Sequence, residues 1–185
     1  MARTESTMLP LGTIAPEFNL LDTVSGKNLH LDQLKGSEAT VIMFICNHCP
    51  FVKHINPELS RLGQDYEKKG VGFVAISSND AVNYPEDSPE KMKENAISQN
   101  FTFPYLYDEG QEVAKAYDAA CTPDFYVFDA NLKLVYRGQL DDSRPGNGIP
   151  VTGRDIRKTL TALIDKKEID LEQKPSIGCN IKWKK

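Results

Sequence analysis

Five apolar residues in a row, Val41-Ile42-Met43-Phe44-Ile45, run directly into Cys46-Asn47-His48-Cys49-Pro50. An uninterrupted apolar strand has no wet face, so this run predicts a strand covered on both sides, as in a sheet sandwiched between helices. After Cys49, the residues Val52, Ile55, Leu59, Leu62 and Tyr66 recur at spacings of three and four, which draws one stripe along a helix. The two thiols therefore stand at a strand-to-helix junction. A helix N-terminus stabilises a thiolate there, and two cysteines separated by two residues can close a small reversible disulfide. Pro50 fits the first helical turn, whereas Pro57 lies inside the stripe and predicts a bend near Ile55 or a break into two pieces.

The rest of the chain alternates strand and helix. Phe18 to Asp22 and Leu29 to Leu31 flank a turn at Gly26 and predict an N-terminal hairpin. Val71 to Ile76 predicts a second buried strand. Ser88-Pro89 offers an N-cap followed by proline at the first position of a helix carrying Met92, Ala96 and Ile97. Asp108 with Gln111 predicts a capped short helix over Val113, Ala114 and Tyr117. Phe125 to Phe128 and Leu132 to Tyr136 predict a hairpin around Asp129-Ala130-Asn131, and Thr152 is placed to cap a last helix bearing Ile156, Leu160, Leu163 and Ile164. Strand and helix in this alternation predict a parallel α/β unit that ends in antiparallel pairing.

Composition sets the class. At 185 residues, 40% hydrophobic and 26% charged, the chain is long enough to bury a core without staples. The formal net charge of -4 gives no general attraction to nucleic acid or to an anionic membrane, and the basic end Lys182-Trp183-Lys184-Lys185 reads as solvated. No run approaches the roughly 20 apolar residues of a membrane span, and residues 1–8 lack the apolar stretch of a secretory signal, so the expected compartment is the cytoplasm. Four cysteines are too few for a disulfide scaffold, and in a reducing compartment a close pair points to catalysis or metal binding.

The element order resembles that of the thioredoxin-like superfamily. Ala15-Pro16-Glu17-Phe18-Asn19-Leu20 and Leu31-Asp32-Gln33-Leu34-Lys35-Gly36 resemble the peroxiredoxin-like, AhpC/TSA-type redoxin branch, and the loop from Gly138 to Pro150 resembles those of a subfamily with a Cys-Asn-His-Cys-Pro motif. Thr122-Pro123 matches the cis-proline position. The resemblance implies a thioredoxin-like α/β fold with a mixed central sheet flanked by helices and an N-terminal hairpin extension. It further implies an arm over 1–10, a redoxin domain over 11–165 and a C-terminal extension over 166–185. By the same resemblance the dithiol faces a groove beside Pro123, where the exposed backbone of Thr122 is free to pair with an extended peptide or partner thiol protein.

The expected activity is thiol:disulfide oxidoreduction by a Cys46/Cys49 couple, with no cofactor and no resident metal. The partners are protein or low-molecular-weight thiols and disulfides, not nucleic acid or membrane. Cys46, at the helix start, is expected to be solvent-accessible and to attack, with Cys49 a turn further in to resolve. His48 lies between the sulfurs in sequence, and a cationic imidazole there would lower a thiol pKa. The periplasmic disulfide oxidants similarly place His before their second Cys, which implies a relatively strong oxidant. Asn47 reads as a polar spacer. Cys121, two residues before Pro123, reads as a core thiol, with a third redox thiol as the alternative, and Cys179 in the tail is a weaker candidate for resolving an oxidised cysteine. His54 reads as a surface residue and His30 as part of the hairpin.

Departures from the family patterns leave alternatives. Ile45 and Thr40 stand where thioredoxins carry Trp and a buried Asp. Set against the peroxiredoxin motif, Cys46 occupies a Thr place, Cys49-Pro50 matches the peroxidatic Cys-Pro, Ala39 replaces a Pro and Pro123 falls where an Arg is usual. A peroxidase with Cys49 peroxidatic and Cys46 resolving, acting on peroxides, is the second reading. A metal- or peptide-binding module using Cys46, His48, Cys49 and Cys121 is the third.

Overall fold

The computed structural model describes residues 3–185. Its strands are β1 (Arg3–Glu5), β2 (Asn19–Asp22), β3 (Asn28–His30), β4 (Ala39–Phe44), β5 (Val71–Ser77), β6 (Tyr105–Tyr107), β7 (Cys121–Thr122), β8 (Asp124–Asp129), β9 (Leu134–Gly138) and β10 (Ile177–Asn180). The helices are α1 (Leu31–Leu34), α2 (Pro50–Tyr66), α3 (Pro89–Ser98), α4 (Glu112–Ala116) and α5 (Arg154–Ile164). A mixed seven-stranded sheet runs in the order β3-β2-β6-β5-β4-β8-β9, with β4, β5 and β6 parallel to one another and β8 antiparallel to β4.

The apolar run forms β4, and all six of its residues are buried. Val41 and Met43 pack on one face with Val52, Ile55, Leu59 and Leu62 of α2, Met92 of α3 and Ile156 and Leu160 of α5. Ile42 and Phe44 face the opposite side, among Leu31, Val74, Ile76, Ala114, Tyr117, Tyr126 and Phe128. Each such side chain removed from water contributes about 1.5–3 kcal/mol, so a strand without a polar face is stable only between two layers.

Local signals explain most boundaries. Ser88 accepts a hydrogen bond from Lys91 N–H at the start of α3, as its position predicted. Helix α2 continues through Pro57, whose ring lies on the exposed face, so there is one helix and not two pieces. The Asp108 carboxylate accepts from the N–H groups of Val113 and Ala114 at the start of α4, while Gln111 takes a left-handed backbone and turns its amide elsewhere. Thr152 does not cap α5. Gly153 holds the cap position at φ 66, and the Asp141 carboxylate accepts from the N–H groups of both Thr152 and Gly153. The sequence also hid β6, three residues long, which joins the N-terminal hairpin to β5.

A second, three-stranded sheet has the order β1-β10-β7 and brings both chain ends to one place. Cys179 pairs with Thr122 on one side of β10 and with Arg3 on the other. The basic end is not solvated throughout: Lys182 is buried, with its ammonium 5.7 Å from the Tyr84 ring centroid. No helix of the described residues is long and apolar enough to cross a membrane.

Beneath this sheet lies an ion pair without solvent contact. Arg137 Nη2 donates to Asp124 Oδ2 at 3.0 Å, the guanidinium lies 4.5 Å from the Tyr126 ring centroid, and Ser6 Oγ donates to Asp124 Oδ1 at 2.7 Å. Burial pushes the Asp124 carboxyl up even with Arg137 beside it. Removing one partner of a buried pair strands the other charge, so Arg137→Leu is expected to lower the unfolding free energy by about 3–5 kcal/mol in urea titration.

Candidate functional site

The antiparallel register of β4 and β8 pairs Phe44 with Asp124. Continued two residues past the end of β4, that register sets Cys46 opposite Thr122, and Cys46 Sγ lies 3.3 Å from Thr122 Oγ1. Cys49 occupies the N-cap of α2, where its carbonyl accepts from the N–H groups of Val52 and Lys53. Its Sγ lies 3.3 Å from the Thr122 carbonyl oxygen. Thr122 thus gathers both sulfurs, and the peptide bond that follows it, to Pro123, is cis as the motif implied. Pro50 fills the first helical position.

Neither thiol is accessible, which corrects the expectation of a solvent-facing Cys46: Cys46 is 1% exposed and Cys49 0%. The cover is the chain's own tail. The backbone of Thr122, expected to be free for a partner, is 2% exposed and laddered to β10, which sets Cys179 Sγ 2.8 Å from Cys49 Sγ. The tail is anchored beyond that point as well. Ile181 N–H donates to the Ala120 carbonyl, the Lys182 carbonyl accepts from Asp80 N–H and from the Gln111 amide, and Lys182 N–H donates to Asn79 Oδ1.

This packing polarises the pair. Cys49 is held down to about 5: the Cys46 S–H outweighs the effect of burial, and hydrogen bonds from Cys179 and from Val52 N–H at the helix start add to it. Cys46, as the donor to that thiolate, is pushed well above the usual thiol range, with burial and the Asp87 carboxylate acting in the same direction. Burial, then the neighbouring Cys49 anion, push Cys179 up to about 12.

His48 is engaged first by a carboxylate that the sequence did not point to. Its Nδ1 is 2.6 Å from Asp87 Oδ2, its ring stacks on Tyr84 at 5.5 Å, and the hydrogen bond to Asp87 raises its pKa above the usual value. Burial alone would push the Asp87 carboxyl up. Bonds from His48, Asn79 Nδ2 and Asn47 N–H outweigh that and hold it below the usual range. Asn47 is more than a spacer, because its amide donates to the Glu86 carbonyl and accepts from Tyr105 Oη. Cys46, His48 and Asp87 each bring a ligand atom within 4.8 Å of the others, a sulfur, nitrogen and oxygen set of the kind zinc accepts. Both Asp87 oxygens already accept two hydrogen bonds, so an ion would have to displace His48 or Asn79.

Asp87, Asn79 and Tyr84 lay in a stretch that the sequence showed only as a polar loop. An acidic residue reached through a 3-10 turn (Pro85–Asp87) leaves no periodic signal. Cys121 makes no hydrogen bond to the pair among those seen: it is buried, its Sγ meets the Pro123 carbonyl at 3.7 Å, and burial pushes its thiol up. His54 is half-buried and pairs with Ser143 Oγ at 2.7 Å, while His30 is exposed beside α1.

Residues 11–137 match the AhpC/TSA family. The chain is 29% identical over 139 residues to the thiol-disulfide oxidoreductase ResA of Geobacillus kaustophilus, covering 74% of this chain and 75% of that one. A crystal structure of an uncharacterized conserved protein from Geobacillus kaustophilus is 64% identical, with a TM-score of 0.98 over 100% of this chain and 97% of the other. A hypothetical protein from Sinorhizobium meliloti 1021 is 46% identical, with a TM-score of 0.95 over 98% of each chain. The thioredoxin domain of a Bacteroides vulgatus thiol-disulfide oxidoreductase, at 18% identity and a TM-score of 0.60 over 71% of this chain and 90% of that one, shares the fold.

The His48–Asp87 pair generates a pH test. Because the folded pKa of His48 is raised, its contribution to stability is complete below the ordinary histidine value of about 6.5 and is lost as pH rises through the raised value. Asp87→Asn should return the His48 midpoint toward about 6.5 in an NMR titration and remove that pH dependence from the unfolding free energy.

Proposed function

We propose that this chain, which belongs to the AhpC/TSA family, is a thiol:disulfide oxidoreductase whose working couple is Cys46 and Cys49. The observation that carries the reading is the meeting of both sulfurs on Thr122, with the Cys46 S–H supporting a Cys49 thiolate. The likeness to a named thiol-disulfide oxidoreductase supports it. Its substrates are thiols and disulfides of proteins or of low-molecular-weight compounds, and its setting is the reducing cytoplasm, where a close pair of thiols serves catalysis and not stapling.

The charge distribution reverses the order of attack read from the sequence. Cys49, anionic near neutral pH, attacks one sulfur of a substrate disulfide, forms a mixed disulfide and expels the other sulfur as a thiolate, which takes up a proton. With Cys49 no longer anionic, the Cys46 proton has lost its acceptor. Cys46 then gives up that proton and attacks Cys49 Sγ, closing Cys46–Cys49 and releasing the reduced substrate. The reverse sequence oxidises a dithiol. A low thiol pKa makes Cys49 a good leaving group, which favours the reduced form and sets the couple toward oxidation of partners.

One observation favours a second reading, peroxide reduction. Cys49 is the thiolate, at a helix N-terminus and directly before Pro50. It would take the terminal oxygen of a hydroperoxide to give a sulfenic acid and an alcohol or water, and condensation with the Cys46 thiol would release water. Pro123 occupies the place of the arginine that would polarise the peroxide, so this reading stands second.

In a glutathione redox buffer the protein should equilibrate through a reversible two-electron couple, with Cys46–Cys49 cross-linked in mapped peptides. A Cys46 and Cys49 that both stay reduced against excess oxidised glutathione would overturn the reading. Alkylation of Cys49 by iodoacetamide should follow a midpoint near pH 5, not the roughly 8.5 of a free cysteine. Consumption of hydrogen peroxide that is lost in Cys49→Ser and retained in Cys46→Ser would move the assignment to the second reading.

A further inference from the structure

An exposed strand edge presents unpaired N–H and C=O groups to any extended segment that carries matching ones. At the dithiol that edge is β7, and β10 occupies it in antiparallel register, Cys179 against Thr122 and Asn180 against Cys121. An incoming chain delivering a cysteine to Cys49 would have to lie in the same place. The tail therefore has the form of a captured partner: an extended segment, paired beside the dithiol, with its own sulfur 2.8 Å from Cys49 Sγ.

The close approach has been built for. A Cβ on Gly178 would sit 2.0 Å from the Thr122 carbonyl oxygen, and one on Gly138, at φ 151, would sit 2.1 Å from the Lys174 carbonyl oxygen. Both contacts are with backbone and cannot be relieved by rotating a side chain. Glycine at 178 lets the tail press onto Thr122, and glycine at 138 lets it pass over the end of β9. Ser176 Oγ then donates to the Pro123 carbonyl at 2.5 Å, and Ser176 N–H donates to Ser6 Oγ at 2.9 Å.

We propose that the C-terminal strand is a tethered substrate of the enzyme: it holds the partner position beside Thr122, and Cys179 exchanges with the Cys46–Cys49 disulfide to form Cys49–Cys179. The step rests on the dithiol function proposed above and needs no further oxidant. The Cys179 sulfur loses its proton and attacks Cys49 Sγ; the Cys49–Cys179 bond forms, the Cys46–Cys49 bond breaks, and Cys46 leaves as a thiolate that takes up the proton. One thiol and one disulfide become one disulfide and one thiol, with no net oxidation. In the disulfide state Cys49 carries no charge, so the anion that helps keep Cys179 protonated is gone. Tethering gives the tail thiol a high effective concentration at the site, about millimolar or above. An external protein must displace β10 to reach Cys49, and the oxidised protein holds the tail covalently in place.

The test is disulfide mapping of the full chain, acid-quenched after incubation with oxidised glutathione. In Cys46→Ser, two thiols remain at the site, and most molecules should carry an intrachain Cys49–Cys179 disulfide with release of two glutathione molecules. Recovery of Cys49 as a stable glutathione adduct instead, in a protein whose unsubstituted form closes Cys46–Cys49, would overturn the tethered-substrate proposal and leave the dithiol reading intact. An unsubstituted protein in which Cys46 is found in no disulfide at any quench time, with Cys49–Cys179 still formed in Cys46→Ser, would overturn the dithiol reading and the exchange step together, while retaining Cys179 as the partner of Cys49. Gly178→Ala provides the second measurement. By forcing β10 off Thr122 it should raise the rate of iodoacetamide capture of Cys49 at neutral pH at least tenfold, and an unchanged rate would show that the tail does not guard the site.

Discussion

Strand β4 is used on every side, and the rest of the molecule follows from that. Its edges pair with β5 and β8, and its faces are covered by α2 and α5 on one side and by the Leu31, Tyr117 and Tyr126 cluster on the other. A chain leaving such a strand has to turn out of the sheet, and it does so at Cys46, entering α2 at Pro50. The same antiparallel register that pairs Phe44 with Asp124 sets Thr122 opposite Cys46. Thr122 in turn pairs with Cys179. One strand's hydrogen-bond register therefore determines which residues meet at the sulfurs.

Two polar systems support that meeting, and they act differently. Around Cys49 the donors are two thiols, the Val52 N–H at the start of α2 and the Cys179 N–H, and together they favour a negative sulfur. Around Asp87 the donors are His48, Asn79 and the Asn47 amide, which keep a buried carboxylate ionised and hold the imidazole on it. The result is a thiol pair polarised by its own members. The price of ionising Cys49 falls on Cys46 and Cys179, whose protons are held in place by the anion they stabilise.

Much of the architecture was legible in the sequence because it is written in local periodicity. The two-faced apolar run, the α2 stripe, the Ser88-Pro89 start and the hairpin at Asp129 each depend on residues close together in the chain, and each forms as read. Thr152 has the type and place of a local cap, yet a distant carboxylate, Asp141, outside any local capping motif, serves that helix start. Strand β6 is not legible in the same way, because three residues carry too little pattern to be told from loop.

The sequence alone determined the mixed α/β class, the strand-to-helix placement of Cys46 and Cys49, and the proline at 123, since these follow from spacing and from residue type. Tertiary structure alone decided what surrounds the sulfurs. Asp87 reaches His48 across 39 positions and Cys179 reaches Cys49 across 130, and neither separation leaves a mark in any window of sequence. The physical reason is that a thiol's reactivity depends on the few donors and charges within hydrogen-bond distance. Which groups those are is settled by sheet register and by where the tail docks, not by the neighbours in the chain.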